Sequence, residues 1–425
     1  MNQETQIVDD GIIAEGVELP LEKKLILGLQ HAFTMFGATV LVPLITGLDV
    51  SVALFMAGVG TLVFHLVTGG KVPVFLGSSF AFIAPLAAVT GAFGTDAFKP
   101  EMMPYALGGA FVAGLMYLLL AGLVYAYGYQ KVVSFFPPVV TGPIIMVIGL
   151  KLAPVAINMA SSGWFLAIIS FTIVTCVSIF ARGFLKVLPV LCGLIGGYLV
   201  AILMGKVDFS HLMSSGWLAC PGFIMAKFDL QIIMLVAPVA IATMVEHIGD
   251  VLAISETVKK RFIEEPGLHR TLIGDGLATA LSTLFGGPPN TTYSENTGVI
   301  ALTKVHNPLV MRIAAVFAII MGIVPKLGCI ISTIPAAVVG GISIILFGMI
   351  AAIGARSLIE NRIDLSQPRN LIIVAVILVL GLGGAALPVE IGSISFKVEG
   401  MALAAMIGIF LNKLLPETSD KVDMP

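Results

Sequence analysis

Phe285-Gly286-Gly287-Pro288-Pro289-Asn290-Thr291-Thr292-Tyr293-Ser294-Glu295-Asn296 is the stretch that decides the fold of this chain. Apolar sequence flanks it on both sides, yet it opens on a Gly/Pro run that no continuous helix tolerates. It goes on as small and polar residues. A second stretch has the same build: Gly69-Gly70-Lys71-Val72-Pro73, continuing as Leu76-Gly77-Ser78-Ser79-Phe80. Each reads as a half-helix with an extended lead-in.

The sequence around them is that of a membrane protein. Of 425 residues, 58% are hydrophobic and 11% charged, against about 25% charged in soluble domains. A soluble chain could not cover so much apolar surface. The net charge of −2 argues against nucleic acid as a partner. Cys176, Cys192, Cys220 and Cys329 are scattered, with no disulfide or zinc spacing. The acidic segment 1–22 reads as a cytosolic tail and not a cleaved signal.

About 20 apolar residues cross a bilayer. That ruler predicts fourteen spans, near 25–46, 51–68, 72–93, 104–128, 132–157, 163–181, 184–204, 229–254, 271–287, 293–303, 308–333, 335–355, 369–388 and 397–415. With the N-terminus inside, 17 of the 23 Lys and Arg fall in cytosolic segments, 4 outside and 2 within spans. That bias fits the positive-inside rule and puts both termini in the cytosol. The interrupted spans are the third and the tenth, the same place in two halves of seven. Seven is odd, so the second half is inverted. The expected fold is an all-α integral membrane protein, a 7+7 inverted repeat whose broken spans point to a midplane substrate site.

Ionisable groups inside spans read as functional. Glu246 and Asp250 of span eight are four apart and share a helix face. Two carboxylates so close disfavour double ionisation, which suits proton uptake and release. Glu295 sits in the broken tenth span, at a place where an acid also offsets the helix dipole. Phe80 follows two serines in the broken third span. Gln30 and His31 of span one read as core hydrogen-bonders, and His65, Lys151, Asp275 and Lys326 as structural or interfacial. Carboxylate acceptors, backbone donors at two half-helix starts and an aromatic ring suit a small planar molecule with alternating N–H and C=O edges. No metal-ligand spacing or nucleophile–base set suggests an enzyme; Glu246 and His247, being adjacent, face different ways. No cofactor is expected beyond the proton as coupling ion.

Glu295-Asn296-Thr297-Gly298, four residues, then Thr303-Lys304 resembles the signature of the nucleobase–ascorbate transporter family. Gln30-His31 and Glu246…Asp250 resemble its other hallmarks. Within that family, residues 30–43, 76–82 and 289–296 are similar to the uracil permeases. The resemblance implies a core domain of spans 1–4 and 8–11 (residues 23–128 and 229–333). It implies a gate domain of spans 5–7 and 12–14 (129–206 and 334–416), with an extracytoplasmic junction at 207–228 and a cytosolic tail at 417–425. It further implies a homodimer in the bacterial inner membrane and elevator-like uptake of a nucleobase with a proton. Glu246 and Glu295 would hold ring N–H groups and Phe80 would stack, with Ala38, Tyr293 and Ser294 lining the pocket. Glu246 and Asp250 would couple the proton, supported by Gln30, His31 and Asn296. Asp250 stands where uracil permeases carry His, as in the purine branch, and Phe347 where they carry Tyr. Glu295 is typical of the uracil branch. Uracil is the preferred substrate, with xanthine or a broader base range as the alternative. An anion carrier of the same fold is disfavoured by Glu246 and Glu295.

Overall fold

The computed structural model describes residues 20–210, 216–391 and 394–416. Most of the two predicted tails, and 211–215 of the predicted junction, lie outside the described residues. The first half carries helices α1 (Leu21–Thr46), α2 (Val50–Val67), α3 (Ile83–Thr90), α4 (Met103–Tyr127), α5 (Tyr129–Val133), α6 (Pro138–Lys151), α7 (Ala153–Ser161), α8 (Trp164–Phe180) and α9 (Pro189–Leu203), with strand β1 (Leu76–Ser78) before α3. The second half carries α10 (Leu230–Val236), α11 (Ala240–Val258), α12 (Leu268–Leu284), strand β2 (Asn290–Thr292), α13 (Ser294–Thr303), α14 (Pro308–Gly322), α15 (Pro325–Ser332), α16 (Ala336–Glu360), α17 (Pro368–Leu382), strands β3 (Ala386–Ile391) and β4 (Ile394–Glu399), and α18 (Gly400–Leu414). Among the described residues, six helical stretches are long and apolar enough to cross a membrane, or seven if the bent pair α14–α15 counts as one. The chain is a multi-pass membrane protein.

The structure departs from the sequence reading at three places. It is mostly helical but not purely so. The extended lead-ins of the third and tenth predicted spans pair as strands β1 and β2, and β3 and β4 form a second antiparallel pair. That second pair takes the end of the span predicted at 369–388 and the start of that at 397–415. Its cause is local: Gly384 has a positive φ of 67°, and the alternation in Val389-Glu390-Ile391 and Phe396-Lys397-Val398 is a strand pattern. Third, the span predicted at 308–333 bends by 79° between α14 and α15. Val324 precedes Pro325 and is extended (φ −100°, ψ 91°), as the residue before a proline prefers.

Packing runs largely within two sets of helices. α12 lies against α4 and α2, and α14 against α2 and α1; α16 lies against α6, α7 and α8, and α17 against α6 and α18. Without a hydrophobic drive between helices in lipid, close approach by small residues supplies the contact. A Cβ on Gly276 would meet the Gly114 carbonyl oxygen at 2.7 Å, where α12 crosses α4. A Cβ on Gly142 would meet the Gly354 carbonyl oxygen at 2.9 Å, where α6 crosses α16. Each set thus has at least one backbone-to-backbone crossing that only glycine permits.

Candidate functional site

The site is built on the crossing of β1 and β2. Leu76 pairs with Thr292, Gly77 with Thr291 and Ser78 with Asn290. Two further bonds extend the ladder: the Ser79 N–H donates to the Pro289 oxygen at 2.8 Å, and the Tyr293 N–H to the Phe75 oxygen at 3.0 Å. At membrane depth, non-helical backbone is tolerated only when its polar groups are met by protein. Side chains of α2 and α12 meet them here. The Thr61 hydroxyl accepts from the Leu76 N–H at 2.9 Å, and His65 Nε2 donates to the Val74 oxygen at 3.0 Å. The Thr279 hydroxyl donates to the Asn290 oxygen at 2.8 Å and the Ser282 hydroxyl to the Pro288 oxygen at 2.6 Å. His65 is therefore structural: it holds backbone.

Each strand runs into a helix. After β1 comes a turn of tighter helix at Phe80–Phe82 and then α3; after β2 comes α13. Because the strands are antiparallel, both helix starts lie at the crossing, separated by about 10 Å of strand at ~3.3 Å per residue. The first N–H groups of a helix have no partner within it, so each start offers donors and the positive end of a dipole.

Tyr293 seals the crossing. Its hydroxyl donates to the Ser78 oxygen at 3.1 Å and accepts from the Thr39 hydroxyl of α1 at 3.3 Å. The Ser78 hydroxyl donates to the Thr39 oxygen at 3.0 Å. The ring lies where a Cβ of residue 77 would be, which is why position 77 is glycine. Tyr293 is buried and so is a wall of the site more than a contact surface.

The carboxylates sit around this frame. Asp250 of α11 accepts from the Thr292 hydroxyl at 2.6 Å and from the Ser294 hydroxyl at 2.7 Å. One turn earlier, Glu246 is half-buried, its Oε2 has no hydrogen-bond partner among the described residues, and it lies within electrostatic reach of Asp250, Asp275 and Glu295. Glu295 and Ala38 line a cavity of about 70 Å³ together with Thr34 of α1, Leu191 of α9, and Ile342 and Leu346 of α16. At about 10–15 Å³ per water, that volume has room for some five waters. Enclosed ligand pockets run to about 300 Å³ and more, so this cavity is narrow. Phe80 packs edge-on against Phe347 of α16, rings 6.0 Å apart. The Asn296 amide donates to the His31 oxygen and to His31 Nδ1, both at 3.1 Å, tying α13 to α1. Gln30 is half-buried with Oε1 unpartnered among the described residues.

The predicted residues therefore gather on α1, α11 and the two strand-to-helix turns. Of them, Ala38 and Glu295 line the cavity, while Ser294 is turned to Asp250. Sequence reasoning missed Thr39, Ser78 and Thr292, whose hydroxyls tie the frame together. Their signal was hydroxyl residues inside apolar spans. Lys326, read as structural or interfacial, lies over the Trp217 ring at 4.1 Å.

Known proteins carry the same chain pattern. The sequence is 47% identical over 405 residues to a uracil permease of Bacillus caldolyticus, covering 92% of this chain and 91% of that one. It is 45% identical over 412 residues to the uracil permease of Bacillus subtilis (strain 168), covering 92% of each. Among solved structures, the transmembrane domain of a cyanobacterium bicarbonate transporter, BicA, superposes with a TM-score of 0.62 at 15% identity, over 92% of this chain and 97% of that domain; that likeness shows the fold alone. The xanthine/uracil permease model, described as "Permease family", matches residues 22–390. The chain is thus a permease and not an enzyme, and it belongs to the nucleobase–ascorbate transporter family.

Proposed function

We propose that this permease takes up a nucleobase, uracil before others, across the cytoplasmic membrane together with a proton. The observation that carries the reading is the β1–β2 crossing. It brings two helix starts, the acids Glu246 and Glu295, and the Phe80 ring into one neighbourhood. The helix starts donate to the carbonyl oxygens of the base, the acids accept from its ring N–H groups, and the ring stacks on its face. A neutral base needs a coupled ion to be accumulated. Glu246, unpartnered at one oxygen, is the proton carrier in this reading, and Asp250 assists.

The same reading gives fourteen spans in two inverted halves of seven, with both termini cytosolic. Residues 23–128 and 229–333 form a core that slides against a gate of 129–206 and 334–416, and the gate forms a homodimer in the inner membrane. The narrow cavity between α1 and α13 on one side and α9 and α16 on the other supports it, since it lies on the surface along which the two would slide. Asp250 bears on the choice of base. Its two oxygens are taken by Thr292 and Ser294, so it holds the frame instead of selecting a purine, which favours uracil over xanthine.

Uptake of radiolabelled uracil into proteoliposomes with an inward proton gradient tests this, with excess unlabelled xanthine, thymine or adenine as competitors. Gradient-driven uptake blocked by uracil alone supports the reading. Stronger block by xanthine replaces the substrate, a sodium requirement replaces the ion, and uptake of sulfate instead of uracil removes the reading altogether.

A further inference from the structure

The other face of α11 carries a pair of groups that this mechanism leaves unused. His247 Nδ1 lies 3.1 Å from Asp275 Oδ2 of α12, and both side chains are wholly buried. Phe64 of α2 and Tyr117 of α4 pack edge-on against the imidazole, with centroids at 6.4 and 6.3 Å. The Tyr117 hydroxyl faces Asp275 and Thr243. Four helices, α2, α4, α11 and α12, thus meet on this pair. No exposed surface reaches it, so neither residue touches a transported molecule.

A buried acid in a membrane protein is costly unless a partner stands beside it. The pair is therefore a registration point between α11 and α12, set by the 3.1 Å approach of the two groups, whose side-chain polar atoms make no hydrogen bond among the described residues. Neighbouring residues on a helix are set about 100° apart, so holding His247 against α12 fixes the direction in which Glu246 leaves the helix. One turn further on, the same helix is held at Asp250 by Thr292 and Ser294. Both restraints fall within about one turn after Glu246.

We infer that His247 and Asp275 are positioning residues, whose buried pair sets the rotation of α11 and thereby the placement of the Glu246 carboxylate toward the base. This rests on Glu246 being a substrate contact, as proposed above. The groups that bear on Glu246 are Asp250 on its own helix, Asp275 on α12, Tyr117 on α4, and Tyr293 and Glu295 at the tenth predicted span, while His247 bears on Asp250.

The test compares native carrier with His247→Gln, Asp275→Asn and the double variant in proteoliposomes. Two quantities are read: the KM for uracil, with Vmax per folded carrier, and the pH profile of carbodiimide labelling at Glu246, followed by mass spectrometry. Each single variant is expected to raise KM about tenfold with Vmax per folded carrier within about twofold, and to displace the labelling profile. The double variant is expected to recover to within about threefold of native KM, because removing both partners leaves no lone buried group. Should a single variant fail to reach the membrane, Asp275→Glu keeps the acid but pushes on His247, and a displaced labelling profile is expected there too. Native KM and a native labelling profile in the single variants, with only less folded protein, overturn the inference. So does a double variant whose defect is the product of the singles. If native carrier takes up no uracil, the nucleobase reading fails, whereas the labelling profile still decides the role of the pair.

Discussion

Thr292 and Asp250 are joined by a 2.6 Å hydrogen bond across 42 residues of chain, the hydroxyl donating to the carboxylate. With the Ser294 hydroxyl on the other oxygen, the bond makes α11 and the β2–α13 turn one rigid unit. A hydrogen bond to a charged group is worth about 1.5–3 kcal/mol. Thr292→Val is therefore expected to raise the KM for uracil by roughly tenfold or more, and Thr292→Ser to keep native behaviour. Concentration-dependent uptake measures both; a native KM in Thr292→Val removes the link between this bond and the site.

Gly77 leaves room for the Tyr293 ring, which in turn bonds to Ser78 and Thr39. Gly77→Ala is expected to cost about 1–3 kcal/mol, as overpacking does, and to abolish uptake by displacing Tyr293. Gly122→Ala, which meets nothing within 4 Å, is the control and is expected to be neutral. Thermal unfolding of the detergent-solubilised protein reads the first effect and uptake the second.

Phe80 carries the stacking role in the proposed function. Stacking of a base on an aromatic ring is worth about 1–3 kcal/mol. Phe80→Ala should raise the KM for uracil by about 10- to 100-fold, and Phe80→Tyr by less than about threefold. If Phe80→Leu matches the native KM, the ring only packs against Phe347.

Glu246 is the proposed proton carrier. Glu246→Gln should take up uracil weakly and with a flat pH profile, the KM changing less than about twofold across neutral pH. A native profile in this variant returns the role to another acid, and Glu295 is the next to replace.

Outside the predicted spans, Lys71 and Glu265 form an ion pair between exposed side chains. The hydrogen bond from Lys71, then its charge, holds the Glu265 carboxyl below its usual range. A lowered carboxyl stabilises the folded state above its unfolded pKa, about 4.3, and that stabilisation is lost as pH falls through the lower folded value. The effect is small and screened by salt. In low salt, the Tm of native protein should therefore fall more steeply on acidification below about pH 4.3 than that of Glu265→Gln, and the difference should vanish in high salt.

The parts of this molecule legible in sequence are those fixed by local chemistry. The Gly/Pro runs at 69–73 and 286–289 cannot continue a helix, and they mark where the chain is extended. An acid pair four residues apart on one helix must share a face, and Glu246 and Asp250 do. What stayed hidden depends on contacts between distant segments. Nothing near Asp250 in sequence announces Thr292, and nothing near Asp275 announces His247. The hairpin of β3 and β4 was hidden for another reason: its alternation is short and sits between apolar helices, where composition alone reads as continuous span.

Tyr293 and Ser78, bonded in the finished protein, are 215 residues apart. At about 5–20 residues per second of synthesis, the ribosome takes on the order of 10–40 s to travel between them. Throughout that interval the first half sits in or beside the bilayer with the outer edge of β1 lacking its partner. Thr61 and His65 can hold one edge from the start, but the other edge waits for residues 289–293. The site is therefore a late event in biogenesis, and a chain stopped before β2 keeps the outer edge of β1 without its backbone partners.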